Sequence, residues 1–281
     1  MDSVKSLLKR SLDIYKENFR TFIGILLVPA VFAVLVGFFA VFIPETKVWG
    51  IVILLLFILS TFVGFWANTA LIVFIRDRAN KNSILNIYKA SIKYFLPHFW
   101  ILVLIGLITF GGMILFIIPM YFLAVLISLS PYILIAENTK GLKAIAKSRE
   151  YIKDYFWPVV GRQLALMALA GLIGLFIGLL ALSLSLFGQS AESIFGPLIF
   201  TIAVLLLTPI APIFLTLLYE NLRSIKPAVS KETNHKRGIF IGSAILGVLA
   251  IIAFFVLIIF IPPQPDEFDG NQTGTQTQIE E

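Results

Sequence analysis

Charged and polar residues fall in short clusters along this chain, and long apolar runs separate them. Seven such runs stand at 21–43, 48–75, 98–118, 120–135, 157–187, 194–222 and 239–261. About twenty apolar residues in a helix cross the hydrocarbon core of a bilayer. Each run therefore predicts a transmembrane helix, the fourth a short one. A membrane barrel would instead alternate apolar and polar positions in segments of about ten residues, and no such segments occur. Pro29 predicts a kink in the first span. Thr208-Pro209 and Ala211-Pro212 predict an interruption of the sixth. The turn at Pro119 has almost no polar residues, so spans three and four read as a tight spanning hairpin rather than a re-entrant pair. In the fifth span Ala170, Gly174 and Gly178 recur at four-residue intervals, a small face suited to close helix packing.

A different periodicity precedes three of the runs. Over 3–18, Val4, Leu7, Leu8, Leu12 and Tyr15 fall on one side of a helix, and Lys5, Lys9, Asp13 and Lys16 on the other. Asp2 or Ser3 supplies an N-cap. Ser83–Phe95 repeats the construction, and so does Lys140–Leu164, which passes through Phe156-Trp157 into the fifth span. When Ser11, Ser91 and Ser148 are aligned, Phe19, Phe99 and Phe156 stand eight residues on without gaps. Leu8, Tyr88 and Ile145 coincide upstream. The expected architecture is all-α and polytopic. Three pseudo-repeats (1–78, 79–137, 138–223), each a surface helix plus a two-span hairpin, make a six-span core over 1–223. A connector at 224–238, a seventh helix at 239–261 and a disordered acidic tail at 262–281 complete it. The N-terminal helix carries acids and lacks a cleavage pattern, so it does not read as a secretory signal.

Composition agrees with the pattern: 59% of residues are hydrophobic, 14% are charged, and mean hydropathy is +0.96. A soluble domain of 281 residues could not cover itself with so little polar surface. There is no cysteine, which excludes disulfides, thiolate nucleophiles and cysteine metal sites. Charge distribution says more than the net +6. All the Lys and Arg residues except Lys47 fall before the first span, between spans two and three, between four and five (with Arg162), or between six and seven. Basic loops stay in the cytoplasm. The expected localisation is thus the cell membrane, with the N-terminus and the three amphipathic helices inside and the C-terminus outside. Lys143, Lys147 and Lys153 become candidate contacts for anionic inner-leaflet lipid. No basic block sits on a soluble domain, so nucleic-acid binding is not expected.

The chemistry-bearing residues near the inner helix ends are few. Glu137 closes the fourth span. Arg162 and Gln163 lie one turn inside the fifth, where an arginine readily snorkels to the interface. Glu220 and Arg223, three residues apart, can pair on one helix face. Together these five form a candidate polar cluster, with Arg162 available to Glu137. No motif for a nucleophile, a zinc site or a phosphate loop occurs. No catalytic, metal or cofactor-binding residue is therefore assigned.

Pro131-Tyr132 through Glu137, Gly141-Leu142-Lys143-Ala144-Ile145, Ser148, Phe156-Trp157 and Tyr219-Glu220-Asn221-Leu222-Arg223 resemble a block in the membrane domain of bacterial glycerophosphoryl diester phosphodiesterases. They also resemble the related YciC-like multi-pass families. The resemblance covers roughly 1–225, excludes the seventh helix and the tail, and lacks the separate barrel domain that carries the phosphodiesterase chemistry. It implies a non-catalytic membrane module. The expected function is to organise lipid, a protein partner or further copies of the chain. A small transporter or channel is the alternative, and an intramembrane lipid enzyme drawing on Glu137, Arg162 and Glu220 the second alternative.

Overall fold

A computed structural model describes residues 1–42, 47–80, 82–115, 117–183, 199, 201–231 and 238–260. The regular structure among them is entirely helical. Among the described residues, seven stretches are long and apolar enough to cross a membrane: Phe19–Phe39, Trp49–Arg76, Ile84–Ile114, Ile117–Glu137, Leu142–Leu180, Thr201–Ile225 and Gly238–Val256. This is the build of a polytopic helical membrane protein. The expected 262–281 tail, the Gly188–Ser193 loop and most of the turn at Pro44–Lys47 lie outside the described residues.

Helix α1 (Val4–Glu17) begins where the Ser3 hydroxyl accepts the Ser6 N–H at 3.2 Å. Asn18 ends it, its side-chain amide donating to the Ile14 carbonyl at 3.0 Å. Helix α2 (Phe19–Phe42) then starts at once and runs through Pro29. Helix α3 (Lys47–Arg76) is joined to α4 (Ile84–Leu115) through Trp66, whose indole N–H donates to the Ser91 hydroxyl at 2.8 Å. The amphipathic stretch 83–95 and the span 98–118 are one helix here, with Pro97 inside. Packing holds the helix together across the proline. Tyr94 is gripped by Arg76 one turn before it, and His98 Nδ1 meets the Thr69 hydroxyl at 2.9 Å just after it.

The fourth span divides into α5 (Ile117–Ile127) and α6 (Ser130–Glu137). At about 1.5 Å per residue, α5 is only about half a bilayer core long. The cause is local. Pro131 lacks the N–H that would have bonded to the Ile127 carbonyl, and the Ser130 hydroxyl donates to that carbonyl instead, at 2.6 Å. Ser148 satisfies the neighbouring groups by accepting the Leu129 N–H at 3.3 Å and donating to the Leu126 carbonyl at 2.7 Å. A break inside an apolar layer is tolerable only with such partners. The next turn uses Asn138 at φ 53° and Gly141 at φ 56°, ψ −140°. The latter is a backbone conformation reserved essentially for glycine.

Helix α7 (Leu142–Ile152) follows, and one 3-10 turn (Lys153–Tyr155) leads to α8 (Phe156–Ser183). A stretch at 201–207, α9, meets α10 (Ile210–Ile225) at the expected Thr208-Pro209 interruption. Pro212 falls in the first turn of α10, where its missing N–H has no helical partner to lose. A short α11 (Pro227–Lys231) begins the connector. Helix α12 (Gly238–Phe260) packs directly on α4 rather than standing apart from the other spans. Phe240 is fully buried, and the Ser243 hydroxyl donates to the Ile108 carbonyl at 2.8 Å.

The buried core gathers Leu7, Phe22, Leu71, Ile101, Ile145 and Phe214 from α1, α2, α3, α4, α7 and α10. Away from it, α2, α3 and α8 present large exposed apolar side chains, including Val34, Leu55 and Phe176.

Candidate functional site

Glu137 is the centre of the polar cluster. It ends α6, and its side chain is only 5% exposed. Burying a carboxylate costs several kcal/mol unless hydrogen bonds and an opposite charge offset the loss of water (about that scale). Both are present. The hydroxyls of Tyr151 on α7 and Tyr219 on α10 each donate to Oε1 at 2.7 Å. Lys147 Nζ contacts Oε2. Arg223 adds a longer approach, Nε to Oε1 at 3.9 Å. The two rings of Tyr151 and Tyr219 meet edge to face, centroids 5.8 Å apart. One carboxylate thus ties three helices together.

Beside it, Arg76 at the end of α3 is fully engaged. Its guanidinium forks onto Asp77 at 2.8 and 2.7 Å, donates to the Tyr94 hydroxyl at 3.0 Å, and reaches the Ile135 carbonyl on α6. Arg78 donates to both oxygens of Glu220, at 3.2 and 3.5 Å. A cavity of about 250 Å³ opens between these groups, walled by Ile72, Arg76, Tyr132, Thr216, Glu220 and Arg223 among others. The Tyr132 hydroxyl has no hydrogen-bond partner among the described residues, although the residue is only 8% exposed.

The five residues expected to cluster therefore divide. Glu137, Glu220 and Arg223 share one region, but Glu220 pairs with Arg78 rather than with Arg223. Arg162 joins neither Glu137 nor that cavity. It donates to the carbonyls of Asp2 and Pro158 and so fastens the chain's start, while the Asp2 N–H reaches Asn221 Oδ1 at 3.2 Å. Gln163 donates to the Ser128 hydroxyl at 2.7 Å and braces the α5–α6 break.

The lysines also divide. Lys143 is exposed, and Lys153 is half-exposed and paired with Glu150 at 2.5 Å. Lys147, expected on the lipid-facing surface, instead points inward onto Glu137. The face of α7 that carries it is the buried one, with Ala144, Ser148 and Tyr151. Sequence reasoning missed Lys147, Tyr151, Tyr219, Arg76 and Arg78 as members of the network. A signal was available: Lys147–Tyr151 and Tyr219–Arg223 are both i,i+4 pairs, each aligning a cation and a phenol on one helix face.

Comparisons of the chain with protein-family models, with curated proteins and with solved structures find no match.

Proposed function

We propose that this chain is a non-catalytic multi-pass protein of the cell membrane, built from three repeated units, whose work is to organise lipid or a partner protein around its helical frame. The observation that carries the reading is the internal closure of the polar cluster. Glu137 is spent on Lys147, Tyr151 and Tyr219, so it works as a strut between α6, α7 and α10. Around that strut, α2, α3 and α8 turn apolar faces outward.

The repeat belongs to the same proposal and has support at its aligned positions. Ser11, Ser91 and Ser148 are all fully buried. Their hydroxyls donate to the carbonyls of Leu7 at 2.8 Å, Tyr88 at 2.7 Å and Leu126 at 2.7 Å. Nine residues on, Arg20, Trp100 and Trp157 are all exposed. A buried serine followed by an exposed large residue is what a surface helix turning into a span requires. Kinship with the membrane domain of glycerophosphoryl diester phosphodiesterases is likewise proposed, on the residues quoted above.

On this reading, anionic lipid gathers where exposed lysines meet the inner leaflet. Each contributes about 1 kcal/mol. Joint K143Q and K153Q substitution should lower the anionic lipid retained by the purified protein by up to about 30-fold, measured by native mass spectrometry. Unchanged retention would count against lipid organisation by these residues. The breaks at Ser128-Leu129 and Thr208-Pro209 favour the transporter as the second reading, because interrupted helices expose carbonyls to a solute. A liposome flux screen without transport would remove it. An intramembrane enzyme uniting Glu137, Arg162 and Glu220 is disfavoured by their separate partners.

A further inference from the structure

We infer that the cavity between α3, α6 and α10 binds a phosphate group, with Arg223 and Tyr132 as its recognition pair. The first ground is charge balance. Three acids stand at or beside the cavity, and each is matched by its own cation. Asp77 takes the Arg76 fork at 2.8 and 2.7 Å, Glu220 takes Arg78 at 3.2 and 3.5 Å, and Glu137 takes Lys147. Arg223 is the cation left over. Its closest acid contact is the 3.9 Å approach to Glu137 Oε1, and it makes no hydrogen bond among the described residues. A guanidinium on a cavity wall, about half exposed and held only by that long contact, keeps donors for a two-pronged oxyanion contact.

The second ground is independent of charge. Tyr132 is 8% exposed, lines the same cavity, and its hydroxyl has no partner among the described residues. The ring is buried while the hydroxyl is open to the cavity, where a ligand oxygen would supply an acceptor. Arg76 forms a third wall but its guanidinium is already engaged, so the free donors come from α6 and α10. A phosphate presents several oxygens and so can accept from the Arg223 guanidinium and the Tyr132 hydroxyl together. About 250 Å³ is ample for one phosphate group. Glu220 is on the wall too, but its charge is already matched by the Arg78 fork. The phosphate could belong to a lipid headgroup or be free in solution. The lipid source rests on the membrane reading above, and the free source does not.

The test uses the full chain in detergent with two probes, inorganic phosphate by titration calorimetry and short-chain phosphatidic acid, against diacylglycerol, by native mass spectrometry. Binding of either probe, weakened about tenfold or more in R223Q and about fivefold in Y132F, supports the site and identifies the source. K143Q, which alters an exposed lysine outside the cavity, should leave the binding of inorganic phosphate unchanged. Absence of binding by both probes overturns the proposal. So does binding that both R223Q and Y132F leave intact, or inorganic phosphate binding that K143Q weakens as much as R223Q does. If R223Q fails to fold, Y132F decides alone, because it removes one oxygen and no charge. The lysine experiment reads lipid retained at the exposed surface, so it can fail while this one succeeds.

Discussion

Removing the carboxylate of Glu137 would leave the Lys147 ammonium almost enclosed, its side chain 7% exposed, and strip two tyrosine hydroxyls of their acceptor. An orphaned buried charge is more costly than the intact pair is stabilising, by about 3–5 kcal/mol on breaking. Glu137→Ala should lower stability by that order in thermal or denaturant unfolding in detergent. Lys147→Met should do the same from the other side. The double variant Glu137→Met/Lys147→Met should be markedly more stable than the sum of the singles predicts, because no charge is then stranded. Additive losses would mean that the two groups act separately. Glu137 itself was legible in the sequence as an acid ending an apolar run. Its partner was not, because Lys147 lies among surface lysines in a helix whose inward side depends on where α6 and α10 pack.

The helices show the same division between what a local pattern dictates and what contact decides. Apolar runs and Pro209 are local, so the spans and the α9–α10 break were readable. The stretch 83–95 and the span at 98–118 read as separate elements and are one helix, since bonds from Arg76 and Thr69 hold α4 on either side of Pro97. The break at Ser128-Leu129 starts from Pro131, a local signal passed over in reading 120–135 as one span, and is completed by Ser148, 19 residues away from Leu129. Helix α12 is apolar on every side, which conceals its packing face. That face is fixed by two glycines. A Cβ on Gly111 would stand 1.9 Å from the Ser243 carbonyl oxygen, and one on Gly247 would stand 2.2 Å from that of Leu107. Backbone cannot retreat as a flexible side chain can, so Gly111→Ala and Gly247→Ala should each cost about 1–3 kcal/mol. They should also loosen α12, seen as a lower melting point and faster proteolysis in the 224–238 connector. Gly242→Ala is the control, since its Cβ would meet nothing within 4 Å. It should be neutral or slightly stabilising through helix propensity. Equal loss in all three variants would refute a glycine-dependent contact.

At the scale of the whole molecule, what fixes the chain in a membrane is the placement of its charges. All but one of the 22 Lys and Arg residues flank one set of span ends, and Lys47 alone stands at the other. The orientation we propose, with these ends inside, follows from the retention of basic loops in the cytoplasm. The polar network reinforces it, since Arg76, Arg78, Lys147 and Arg223 are built into contacts at those same ends and cannot cross without dismantling them. The absence of cysteine makes this directly measurable, because each introduced thiol is the chain's sole target. Cysteines at Lys9 and Lys140, both exposed positions, should resist a membrane-impermeant maleimide in intact cells and react in inverted vesicles. Cysteines at Thr46 and Thr275 should react in intact cells. Labelling of Lys140→Cys from outside would invert the whole arrangement. Labelling of Thr275→Cys only in inverted vesicles, with the other three as expected, would return the C-terminus to the cytoplasm. It would require α12 to enter and leave on one side while keeping its glycine contact with α4.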